Sequence, residues 1–360
     1  MTTPRLEIDL SKIHHNARFL VNLLSCRGIS VSAVTKAVLG LPSVARELLA
    51  AGVSGLADSR IENIQTMRRS GVNADITLIR SPMISQAPVI VRDTDTSLNT
   101  ELDVISELSK AAQAQGRTHG VLLMVELGDL REGIMPADLE NVVRQTLSFP
   151  NIILKGIGTN LACRCGVVPD AANMSELSVL ANAIDATFGP ILSIVSGGNS
   201  SNLDWVLGGA DTGRINNLRL GEAILLGCEP LNRQPIEGLY TDAITLVAEV
   251  IESKIKPSQP WGEIAQTAFG GAIPTPDSGS ISQAIFAVGH MDTDPEALVP
   301  PFGFKILGSS SDHLIVDSGR VHLLIGAEIT FQLNYSALIR AMASPFVAKQ
   351  ALSKEMAMAY

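Results

Sequence analysis

Lys36 closes the apolar run Ser32-Ala33-Val34-Thr35, and a helix-compatible segment opens soon after at Ser43. An ammonium at the end of a buried strand is desolvated, which favours the neutral amine, and a neutral amine attacks carbonyl carbon. The same position also suits a lysine whose stem lies on apolar surface while its charge reaches water. A second group of interest lies far along the chain, in Ser196-Gly197-Gly198-Asn199-Ser200-Ser201, with Gly221-Glu222 following another apolar run. Small hydroxyls, backbone N–H groups and glycines that admit a close approach make a cradle for phosphate. A tight turn with solvated serines is the plainer alternative. Asp58, Arg80, Asn99, Glu126, Asn160 and Arg219 also follow apolar runs; each alone is weak evidence.

The elements that must position these residues repeat in a cycle of short apolar strand, turn and helix. Strands are expected at 31–36, 53–57, 76–79, 96–98, 121–125, 152–158, 191–195 and 217–220, with 96–98 the weakest. Eight such units predict a (β/α)8 barrel, whose active sites gather at the carboxyl ends of the strands and whose phosphate sites commonly follow the seventh and eighth. After Gly227 the pattern becomes strands at 243–252, 283–288, 304–307, 313–317 and 327–333. Their connections carry Pro257, Pro260, Pro274, Pro276, Pro295, Pro300 and Pro301. The fold class is therefore α/β: a (β/α)8 barrel followed by a C-terminal, mainly antiparallel β domain. The expected boundaries are an N-terminal strand within 1–10 joining the β domain, the barrel at 11–232, the β domain at 233–350 and a tail at 351–360.

The 360 residues are 46% hydrophobic and 18% charged, which suits a folded enzyme and excludes a disordered chain. A net charge of −9, from 27 basic and 36 acidic residues, comes without a basic block, so nucleic acid is not an expected partner. The N-terminal residues lack the apolar core of a signal peptide, and no apolar run is long enough to span a membrane. The 4 cysteines include Cys163-Arg164-Cys165, without the spacing of a metal site. They read as structural thiols of a reducing, cytoplasmic compartment, and no metal site is expected.

A desolvated lysine and a phosphate cradle in one barrel suggest pyridoxal phosphate, held by its aldehyde at one end and its phosphate at the other. The residues that follow carry a resemblance. The stretches Val34-Thr35-Lys36, Asp58-Ser59-Arg60-Ile61-Glu62-Asn63, Ser97-Leu98-Asn99, Leu127-Gly128-Asp129-Leu130-Arg131-Glu132-Gly133 and Gly156-Ile157-Gly158-Thr159-Asn160-Leu161 span the first half. Ser196–Ser201, Ile215-Asn216-Asn217-Leu218-Arg219-Leu220-Gly221-Glu222, Gly308-Ser309-Ser310-Ser311-Asp312-His313 and Asn334-Tyr335 continue it. Together they resemble the alanine-racemase-like family of fold-type III pyridoxal-phosphate enzymes, and within it the branch of ornithine and related basic amino acid racemases.

The resemblance implies a racemase that exchanges the α-proton of an amino acid between two bases by way of an external aldimine, working as a homodimer with shared sites. Lys36 is then the lysine of the internal aldimine and one of the bases. Arg219 stands against the pyridine nitrogen; a guanidinium keeps its proton, so that nitrogen stays unprotonated and the ring is a milder electron sink. Ser200, Ser201 and the backbone at Gly221 and Glu222 cradle the phosphate. Arg131 lies near the cofactor hydroxyl and the substrate carboxylate, Asn160 faces the ring, and Ser311 and Asp312 contact substrate. Where alanine racemases carry the tyrosine that serves as second base, this chain has Val288-Gly289-His290-Met291-Asp292, which makes His290 the candidate, with Asp292 to orient it or to bind a distal ammonium. A phosphate-contacting tyrosine shortly after the lysine is also missing, replaced by Val38-Leu39-Gly40. Arg164 adds a cation near the pocket mouth and bears on which side chain is accepted. The competing expectations are a cofactor carrier of the same barrel without turnover, and a fold-type III decarboxylase or aldolase.

Overall fold

The computed structural model describes residues 3–267, 269–270 and 277–352. Pro274, Pro276 and residues 353–360 of the expected tail lie outside them. The chain divides into two units. One runs from Ser11 to Tyr240; the other joins the segment up to Leu10 to the chain from Thr241 onward.

The first unit is built from β2 (Ser30–Val34), β3 (Gly55–Asp58), β4 (Ile76–Leu78), β5 (Thr96–Asn99), β6 (His119–Met124), β7 (Ile152–Gly158), β8 (Ile194–Ser196) and β9 (Asn217–Leu220). They pair in parallel in that order and close into a barrel, with β9 returning to β2 through Ser30 beside Asn217 and Ser32 beside Arg219. Between them run α2 (Pro42–Ala50), α3 (Ile61–Arg69), α4 (Ala87–Asp93), α5 (Leu102–Ala114), α6 (Leu139–Thr146), α7 (Ala171–Phe188), α8 (Leu203–Leu207) and α9 (Glu222–Leu226), preceded by α1 (Leu10–Ser25). Strand side chains alternate between the barrel interior and the helix layer. Leu98, Leu122 and Met124 pack together inside, whereas Val121, Leu123 and Ile157 meet Ile105, Val143, Leu177 and Ala181 of the helices. Each such apolar side chain taken fully from water stabilises the fold by roughly 1.5–3 kcal/mol.

The first unit ends later than the expected 232. Asn16 on α1 holds the last residues by donating to Tyr240 O at 2.9 Å and accepting from Tyr240 N at 2.8 Å, and His15 Nε2 meets Gly238 O at 2.8 Å. Strand β8 is shorter than the expected 191–195. The amides of Ile191 and Leu192 donate to Asp185 Oδ1 at the end of α7, at 3.0 and 3.1 Å, and so do not join the ladder.

The second unit contains β1 (Arg5–Asp9), β10 (Ile244–Pro257), β11 (Ser280–Phe286), β12 (Leu298–Val299), β13 (Lys305–Ser309), β14 (Leu314–Asp317), β15 (Glu328–Leu333), α10 (Tyr335–Ala343) and β16 (Ala348–Leu352). The path β12-β15-β10-β11-β14-β13 is antiparallel throughout. Strand β1 pairs antiparallel with β10 and parallel with β16, so part of the stretch expected as a tail is sheet. Arg5 locks β1 by donating to both carboxylate oxygens of Glu328, at 2.7 and 2.8 Å. Phe286 and Phe331 meet edge to face at 5.3 Å in the core. Among the described residues no helix is long and apolar enough to cross a membrane.

Candidate active site

Lys36 does not end β2. The strand stops at Val34, Thr35 continues the ladder with its amide on Ala57 O at 2.9 Å, and Lys36 opens a 3-10 turn, Lys36–Val38. The turn reverses through Leu39 at φ 51° and Gly40 at φ 64°, and Pro42 starts α2. Gly40 lies so close to α3 that a Cβ there would stand 2.8 Å from Asn63 O, which leaves no room for a side chain. Thr35, just past β2, and Asp58, the last residue of β3, are both fully buried. Thr35 Oγ1 donates to Asp58 Oδ2 at 2.7 Å, while Asn63 Nδ2 and Arg60 N each donate to Asp58 Oδ1 at 2.9 Å.

The Lys36 amine is accessible through the barrel mouth but walled by it. Loss of hydration lowers its pKa, Arg131 and Arg219 add to the lowering, and Cys163 and Asp58 oppose it. The mouth therefore brings Lys36, Arg131 and Arg219 together.

Arg219 is buried on β9, and its hydrogen bonds among the described residues go to neutral acceptors. Nη1 donates to Ser196 Oγ at 2.5 Å, and Nη2 donates to Thr159 O at 2.7 Å and Asn160 Oδ1 at 3.4 Å. Among the described residues no carboxylate hydrogen-bonds to it, and Glu132 acts on it only through its charge. Burial, reinforced by Arg131, pushes its pKa down to about 10, so it remains a cation at neutral pH. Below it Ser196 Oγ donates to Asn217 Oδ1 at 2.7 Å, and Asn217 Nδ2 donates to Ser32 and Ser30 at 3.0 and 3.1 Å. Sequence reading missed this chain. Its signal was the serine and asparagine at inward-facing positions of β2 and β9, where an all-apolar interior would be cheaper.

Asn160 shares its Oδ1 between Arg219 and Asn199 Nδ2, the latter at 3.2 Å. Ser200 Oγ accepts from Gly221 N at 3.4 Å and Ala223 N at 3.2 Å, tying the turn after β8 to the turn after β9. Ser201 Oγ is buried and has no hydrogen-bond partner among the described residues. Gly198 adopts φ 144°, and a Cβ there would strike Asn202 Oδ1 at 2.2 Å. The Glu222 side chain is paired with Arg233.

Arg131 sits on a loop held from below. Glu126 accepts from the amides of Gly128, Leu130 and Arg131 at 2.6, 3.0 and 3.1 Å, and Gly133 packs so tightly on Glu126 that a Cβ would lie 2.5 Å from its nitrogen. The guanidinium pairs with Glu132 and touches the Cys163 sulfur. Burial would lower its pKa, but Glu132 raises it overall. Buried Asp129 gathers the amides of Cys163, Arg164 and Cys165 at 3.2, 2.9 and 3.1 Å, and Arg164 donates to Leu130 O. Cys163, Arg164 and Cys165 are thus a loop pinned onto the Arg131 loop, and the Arg164 guanidinium is tied to backbone.

His290, Ser311 and Asp312 belong to the other unit, where they form their own cluster. His290 Nε2 meets Ser309 Oγ at 2.8 Å and its ring packs on Phe269 at 4.2 Å. His290 N and Met291 N donate to Ser310 O and Ser311 O at 3.0 and 2.9 Å. Asp292 Oδ2 accepts from Gly289 N at 3.0 Å and closes the turn that carries His290.

Residues 8–229 match the model of the alanine racemase N-terminal domain. The ornithine racemase of Acetoanaerobium sticklandii is 38% identical over 353 residues, covering 97% of this chain and 99% of that one. The lysine racemase of Thermotoga maritima is 35% identical over 351 residues, covering 97% and 98%. Among solved structures, the alanine racemase of Streptomyces coelicolor shares the fold with a TM-score of 0.77 at 18% identity, over 97% of this chain and 98% of that one. A D-threonine aldolase from Filomicrobium marinum shares it at 0.73 and 15% identity, over 95% and 88%. With an eight-strand barrel carrying Lys36 and Arg219 at one mouth and an antiparallel domain beyond, the chain belongs to the alanine racemase family.

Proposed function

We propose that the protein is a pyridoxal-phosphate-dependent racemase of basic amino acids, acting as a cytoplasmic homodimer. The observation that carries the reading is the pairing at one barrel mouth of a lysine with a lowered pKa and a buried arginine hydrogen-bonded to neutral acceptors. Full-length kinship with an ornithine and a lysine racemase supports the substrate class. The four cysteines, all free thiols, suit a reducing compartment.

The residues present fit the cofactor. The unpartnered Ser201 hydroxyl calls for an acceptor such as a phosphate oxygen, and Ser200 with the Gly221 and Glu222 backbone lies beside it. Arg219 would face the pyridine nitrogen, Asn160 the ring, and Arg131 the ring hydroxyl and the substrate carboxylate. When bound, pyridoxal phosphate supplies an aldehyde carbon for an amine to attack and a ring that delocalises the electron pair left at Cα. Lys36 would hold the aldehyde end of the cofactor and, as the free amine, would take or return the α-proton at Nζ on one face. His290 of a second copy does the same at its imidazole on the other, with Ser311 and Asp312 beside it. Arg219, a cation fixed by Ser196 and Thr159, cannot hand a proton to the ring nitrogen at neutral pH and so leaves the Cα pair basic enough to be reprotonated.

The test is a panel of L-ornithine, L-lysine, L-arginine, L-serine and L-alanine with added pyridoxal phosphate, scored by chiral chromatography. The D enantiomer of a basic amino acid is expected. Carbon dioxide, an aldehyde or no turnover overturns the reading.

A further inference from the structure

The turn that carries Lys36 is held by a closed ring of contacts. Thr35 is its pivot: the hydroxyl is bound to Asp58, and the carbonyl accepts from Val38 N at 3.1 Å and Gly40 N at 3.2 Å. Gly40 then packs on Asn63, and Asn63 Nδ2 returns to Asp58. Thr35 and Asp58 each follow the last register pair of β2 and β3, Val34 beside Ala57, and the bond from Asn63 of α3 ties Asp58 to the helix layer. Asp58 therefore reaches the site only through Lys36. We propose that Asp58 and Thr35 are positioning residues that set both the place and the charge state of the Lys36 amine. The proposal rests on reading Lys36 as the cofactor-linked lysine. Removing the Thr35 hydroxyl frees the turn; removing the Asp58 charge takes away a group that opposes Arg131 and Arg219 at Lys36, and favours the neutral amine.

Three variants of the full chain separate the two effects. Each is mixed with pyridoxal phosphate over a pH series and reduced with borohydride, and label on Lys36 is quantified by peptide mass spectrometry. Thr35→Val, close in volume, should lower labelling at subsaturating cofactor by about tenfold, and Thr35→Ser should restore it to within about twofold. Asp58→Asn, which can still bond to Thr35, Arg60 and Asn63, should shift the midpoint of the labelling curve down by about one pH unit. A purely structural role would lower the melting temperature without moving that midpoint. Wild-type labelling curves for both Thr35→Val and Asp58→Asn overturn the proposal; if Asp58→Asn fails to fold, equal labelling of the two Thr35 variants overturns it alone. Absence of label on Lys36 in the unmodified protein overturns the cofactor reading, and the proposal with it.

Discussion

Arg219 reaches Ser196 Oγ at 2.5 Å, and that hydroxyl, having accepted, donates onward to Asn217. A buried cation is thereby oriented without an anion. Its charge is left for whatever binds in the mouth.

Ser196→Ala should therefore cost more than one neutral hydrogen bond. We expect about 2 kcal/mol of stability lost in urea unfolding and weaker pyridoxal phosphate binding by fluorescence titration. A variant with unchanged cofactor affinity shows that Ser196 does not orient Arg219 for binding.

Stability should fall on mild acidification because of His119. It is buried in the barrel wall with Nε2 on Ser97 Oγ at 2.8 Å, and burial pushes its pKa down to about 4 from the ordinary 6.5. The folded state refuses a proton that the unfolded chain accepts, so the contribution is fully present above 6.5 and is lost as pH falls towards 4, in all about 3 kcal/mol. Melting temperatures of the native protein and His119→Gln across this range should converge at acid pH. Parallel curves would assign the acid sensitivity elsewhere.

Asp129 should control the 163–165 loop. Burial alone would raise its pKa, but the amides of Arg164, Cys165 and Cys163 hold it below the usual carboxylate range. Asp129→Ala should speed hydrogen exchange at those three amides by at least about tenfold and raise KM, leaving the barrel strands protected. Unchanged exchange would show that Arg131 and Arg164 suffice.

His290→Ala should still label on Lys36 with borohydride yet lose about 100-fold or more in racemisation, since one face of Cα has lost its base. Solvent deuterium would then enter one enantiomer of substrate and not the other. Full activity removes His290 from the reaction.

The barrel was legible because its strands are short apolar runs ended by polar residues, and even the weak run at 96–98 proved to be β5. Lys36 and Arg219 were legible as a cation after the first run and another in the last. What escaped depends on pairing across distance. Thr35 and Asp58 meet only once β2 and β3 are in register, and 23 positions separate them. Strand β8 begins late because Asp185, a helix residue, captures two amides that a strand pattern would assign to the ladder. Strand β16 has no apolar alternation to announce it; its pairing with β1 forms it.

That pairing orders events during synthesis. Ser11 through Tyr240 is one continuous stretch, whose closing partner β9 emerges before β10 and β16, so the barrel can close on the ribosome. Strand β1 is made before the barrel, yet its two neighbours, β10 and β16, are made after it. Until they are made, β1 is an unpaired edge, open to wrong partners through the interval before β16 follows.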